Sequence, residues 1–101
     1  MTGGHVSATE MQAARQAVRH AVLVREHHRR RTDKGSANRE QDIAEALDRL
    51  KEAMKPLRRA IGQFPYGPQT DVAEQKRQEI RAISAEIQAQ RRRLWKMKVH
   101  Y

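Results

Sequence analysis

Two runs of arginine are the residues whose type and spacing could do chemistry. Arg29, Arg30 and Arg31 stand together, followed by Lys34 and Arg39; Arg91, Arg92 and Arg93 stand together, followed by Lys96 and Lys98. A guanidinium is a planar fork of N–H donors, charged at any physiological pH, that matches phosphate oxygens two at a time. Like charges packed this closely repel unless an anion lies between them, so the runs point to a polyanionic partner: DNA, RNA or an acidic protein surface. Trp95 lies within the second run. An indole among arginines is a surface on which an unpaired base can stack. Closing the core beside Leu94 is its other role, and adjacency to that leucine favours it.

Other chemistries find little support. There are five histidines and no cysteine. His27 and His28 are adjacent and diverge on a helix, and His20 lies two turns away, so none has the i, i+4 spacing of a helical zinc pair. No serine or histidine sits in a triad or a glycine-rich context. The reading is therefore of a non-enzymatic chain with no metal and no cofactor. An anionic membrane is a poor fit as partner, because the basic residues do not lie opposite an aromatic-rich apolar face. No run approaches the roughly 18 apolar residues that a membrane span needs. The absence of cysteine and of a signal-like start makes the cytoplasm the expected compartment.

The elements that must position the arginines can be read from the apolar spacing. Ile43, Leu47, Leu50, Met54, Leu57, Ile61 and Phe64 recur at intervals of four and three. Ala73, Ile80, Ile87 and Leu94 follow a seven-residue interval, with Ile83 and Met97 on the intervening row and Lys76 and Gln90 interrupting it. Each set forms one stripe of a helix, as at the seam of a coiled coil. Between them, Gly62, Pro65, Gly67 and Pro68 break the chain within a few residues, which folds the second helix back along the first. Pro56 interrupts the first stripe without ending it, so a kink inside one helix is expected. An earlier, weaker stripe runs through Met11, Ala14, Val18, Ala21 and Val22, with Leu23 and Val24 to the side. It is introduced by Ser7 and Glu10 as a capping box and by Val6 and Met11 as a hydrophobic staple.

The expected fold is all-α: residues 1–7 as a flexible N-terminus, then one small helical domain over residues 8–101. Its helices span about 8–31, 38–61 and 71–97. The second and third form an antiparallel hairpin, and the first packs alongside or engages a partner. Leu47, Leu50, Leu57, Ile80, Ile83, Ile87 and Leu94 are expected in the core. With 101 residues, 38% hydrophobic, and fourteen alanines among them, that core is thin.

An up, down, up connection brings the end of the first helix, the start of the second and the end of the third to one pole. Residues 25–39 carry six basic and two acidic groups, and residues 87–101 carry five basic and none acidic. The two windows account for the whole formal charge of +9, and the other 71 residues balance ten against ten. Arginines outnumber lysines fifteen to six, which suits phosphate recognition. The expected function is that of a small basic nucleic-acid-binding protein, a regulator or accessory factor of a nucleoprotein complex, contacting phosphates through Arg29, Arg30, Arg31, Lys34, Arg39, Arg91, Arg92, Arg93, Lys96 and Lys98. Trp95 is available for stacking. The alternative is a protein–protein adaptor or inhibitor, encoded by a mobile element or phage, that uses the helical hairpin as its contact surface. In either case a larger complex or a homo-oligomer is an expected setting.

Overall fold

The computed structural model describes residues 6–29, 37–64 and 69–99. Three helices make up the described chain: α1 (Ala8–Arg29), α2 (Ala37–Gln63) and α3 (Asp71–Val99). Among the described residues there is no strand. The expected bounds hold to within two residues, except that residues 30 and 31, expected in α1, lie outside the described residues.

Local chemistry explains where the helices begin. At α1, Ser7 Oγ accepts from the Glu10 amide at 3.1 Å, and the Ser7 amide donates to Glu10 Oε1 at 2.9 Å. The reciprocal pair satisfies two donors that the first turn leaves without partners. Val6 and Met11 are both buried, as the staple requires. At α3 the cap is Thr70, whose Oγ1 accepts from the Ala73 amide at 3.1 Å, and Asp71 and Glu74 lie in the positive first turn. Pro56 lies inside α2, which continues through it as one element. Phe64 closes the end of the core, with the Arg81 guanidinium 4.9 Å from its ring centroid.

The helices pack as an up, down, up bundle. Arg25 meets Gln90, so α1 and α3 run parallel; His28 meets Asp42 and Ser84 meets Met54, so α2 is antiparallel to both. All three helices touch, and α1 packs in cis against the hairpin. The core holds Ile43, Leu50, Met54 and Leu57 from α2, with Ile80, Ile83, Ile87 and Leu94 from α3. Leu47, expected with them, is only partly buried.

The face that α1 buries differs in detail from the expected stripe. It is formed by Met11, Ala14, Ala17, Ala21, Val24 and His28. Val24 is on the inner row, Val18 and Val22 are half-buried, and Leu23 is exposed. Alanines on this face let the helix axes approach closely, at the cost of less apolar area per residue. The molecule is a rod of 52 × 21 × 19 Å. No helix among the described residues is long and apolar enough to cross a membrane.

Candidate nucleic-acid interface

Among the described residues, polar contacts tie each pair of helices together at the basic pole. Arg25 Nε donates to Gln90 Oε1 at 2.9 Å and ties α1 to α3. His28 Nε2 lies 2.8 Å from Asp42 Oδ2 and ties α1 to α2. Arg39 Nη2 donates to the Met97 carbonyl at 2.9 Å and ties α2 to α3. Met97 belongs to the last turn of α3, where carbonyls have no partner within the helix and the dipole is negative. A buried guanidinium is well suited to that position. The contacts fix the relative height and rotation of the three helix ends, and so the array of charges they carry.

Arg39 thus differs from its expected place among the anion-binding residues. It is buried, and its charge is directed at the end of α3 rather than at solvent. Polar groups at this pole occupy inner positions elsewhere too. His28 and Gln90 are buried, and the His27 and His28 rings meet edge to face with centroids 4.7 Å apart, so the two do not simply diverge. Gln90 does interrupt the inner row of α3 as expected. Lys76 does not; it is exposed, and its neighbour Arg77 turns inward to Glu74 Oε2 at 3.1 Å.

The remaining cations are displayed. Arg92, Arg93, Lys96 and Lys98 are exposed and Arg91 is half-buried. Among the described residues none of these five has an ion-pair partner. Away from the pole several cations are matched: Arg49 with Glu45, Lys55 with Glu52, Lys76 with Glu79. On α1, Arg29 is exposed and 3.5 Å from Glu26 Oε2. Arg30, Arg31 and Lys34 lie outside the described residues. Arg25 belongs to the site although the arginine runs do not point to it. Burial, and after it the Arg93 charge, holds its pKa below the usual arginine value, with Glu26 opposing and Arg29 adding to the shift. It stays protonated at neutral pH, and the crowding of Arg25 by Arg93 is the repulsion that a bound anion would relieve.

Trp95 is 53% exposed. The core-closing role is therefore not the one it has; one step past Leu94 turns a side chain by about 100° and onto the flank. Its neighbours on the helix surface, three and four residues away, are Arg91, Arg92, Lys98 and Val99. Lys98 Nζ lies 5.2 Å from its ring centroid.

Among the described residues no group of three or more histidines and carboxylates is placed to hold a metal ion. What the described residues of the pole offer is an end surface of guanidinium and ammonium groups with the indole of Trp95 among them, able to bind anions through charge and hydrogen bonds. No family model, curated protein or solved structure matches the chain, so its function must be argued from these side chains.

Proposed function

We propose that this chain is a small, non-enzymatic nucleic-acid-binding protein of the cytoplasm, a regulator or accessory factor in a nucleoprotein complex, that grips phosphates with its basic pole. The observation that carries the reading is the density of unmatched charge at one end of the rod. The last turns of α3 present five cations with no ion-pair partner among the described residues and no acid within residues 87–99, while elsewhere acids and bases alternate along the helices, some of them paired. Exposed arginines add little to folding, whereas each phosphate contact releases a condensed counterion. Changing Arg91, Arg92 and Arg93 together to glutamine should weaken nucleic-acid binding strongly and leave helicity intact. With about five phosphates engaged, log affinity falls against log salt with a slope near −4.5 on duplex DNA. The triple change should flatten that slope by up to about three contacts' worth. Glutamine at Arg58 and Arg59, both exposed on the far half of α2, is the control. Equal losses from both sets would mean diffuse attraction and no site.

The adaptor reading is favoured by a different surface. Between α1 and α3 lies a groove of about 560 Å³, lined by Val18, Val22, Ala82 and Ile83, with Arg15 and Arg19 on one rim and Glu79 and Glu86 on the other. An amphipathic helix with charges of both signs would fit it. If nucleic acid does not bind at about 50 mM salt, where phosphate contacts are strong, Val22→Glu becomes the decisive variant against a protein partner.

A further inference from the structure

We infer that the pole is built for single-stranded nucleic acid, with Trp95 as a stacking platform for an unpaired base; the inference rests on the phosphate-binding reading above. A duplex presents its phosphates outward and keeps its bases stacked on one another. An aromatic ring at the contact surface has nothing to stack on unless a base is already unpaired or is turned out of the helix. Cations alone would serve for a duplex, so the placement of the ring carries the distinction.

Three observations bear on that placement. The chain has four aromatic residues of the Phe, Trp and Tyr types, and its core is thin. Its single tryptophan is the largest apolar side chain it has, yet it is 53% exposed while Leu94 beside it is fully buried. Next, the four positions adjacent to Trp95 on the helix surface hold three cations and a valine that is 48% exposed. A strand whose phosphates follow Arg91, Arg92 and Lys98 therefore has its bases within reach of the indole, with Val99 extending the apolar patch. Finally, α3 is pinned at this height by the Arg39 bond to the Met97 carbonyl, so the ring is presented from a fixed helix and not from a loop. Lys98 rests over the ring at 5.2 Å. It is exposed and can swing onto a phosphate when a base takes its place.

The lone tryptophan is its own reporter. Trp95 emission should be quenched when the protein is titrated with an oligothymidylate of about 16 nucleotides, within the span of one single-strand site. A duplex with the same number of phosphates should bind with little quenching. Binding measured separately by anisotropy of labelled strands should show Trp95→Ala losing about tenfold or more on the single strand and about twofold or less on the duplex. Trp95→Phe should restore most of the loss, and circular dichroism should report the same helicity for all three proteins. An abasic strand of equal length keeps the phosphates and removes the bases. It should bind wild type about as weakly as the normal strand binds Trp95→Ala. Single strand and duplex bound equally, with neither the alanine change nor the abasic strand costing affinity, would overturn the stacking platform and leave the phosphate reading standing. No binding of any of these strands at about 50 mM salt would overturn both.

Discussion

Arg39 shows what a polar side chain does when its position falls in register with an apolar row. It stands one turn before Ile43, the first of the buried apolar residues among those described in α2, and the fold uses it as the partner of the Met97 carbonyl. Replacing Arg39 with methionine keeps much of the apolar stem but leaves that acceptor without this donor. Since a hydrogen bond to a charged group contributes about 1.5–3 kcal/mol, urea unfolding should show a loss of that order. Arg92→Met, at an exposed position, should stay within about 0.5 kcal/mol of wild type. Equal effects would mean that the Arg39 contact adds nothing to the fold. The same register explains His28, one turn past Val24, and Arg77 and Ser84, which fall between the isoleucines and alanines of α3. A search for apolar periodicity passes over such residues because their type argues against burial even where their angle argues for it. The displayed arginines were legible because three in succession must place at least one away from any single stripe. The exposure of Trp95 was not, since its side chain prefers the interior and only its angle on the helix, one step off the row, carries it out.

At the level of the helix, the spacing of apolar residues placed the elements well, because a helix has to bury a continuous stripe and the stripe shows in the letters. The caps were equally legible, since Ser7, Glu10 and Thr70 act through bonds to residues only three away. What local pattern could not give was the inner face of α1. Alanine carries almost no directional signal, and which of Val18, Val22 and Val24 turns inward depends on where two other helices lie. Pro56 is the local conflict in α2. It has no amide to donate to the carbonyl of Glu52, and its ring crowds that carbonyl. Pro56→Ala should therefore raise stability by about 1–2 kcal/mol, the restored helix geometry outweighing the freedom returned to the unfolded chain. Thermal melts followed by circular dichroism would register the change. A fall in melting temperature would show that the proline itself is needed where it borders α1, across from Ala13 and Ala17.

For the molecule as a whole, the notable property is segregation: among the described residues of the pole, eight basic groups (Arg25, Arg29, Arg39, Arg91, Arg92, Arg93, Lys96 and Lys98) stand against three acidic ones (Glu26, Glu40 and Asp42), at one end of a rod 52 Å long. Charges of one sign gathered in this way oppose folding, and mobile ions screen them over about 10 Å at 0.1 M salt. Raising sodium chloride from about 0.01 to about 0.15 M should raise the melting temperature by about 5 °C, corresponding to about 1 kcal/mol. Salt would then act in opposite directions on folding and on strand binding. A melting temperature indifferent to salt would mean that the pole's repulsion is already offset within the fold. The segregation itself was legible from charge counts joined to an up, down, up path; the three contacts that hold the pole rigid were not, since each pairs residues at least fourteen positions apart. The shape has a geometric corollary. On the proposed reading, a rod that meets a strand with its basic pole covers little more of it than its own cross-section, about 20 Å here. Its length then points away from the strand and costs no room along it. Bound in that way, the half of the bundle whose charges balance stands clear of the strand, up to about 52 Å from it.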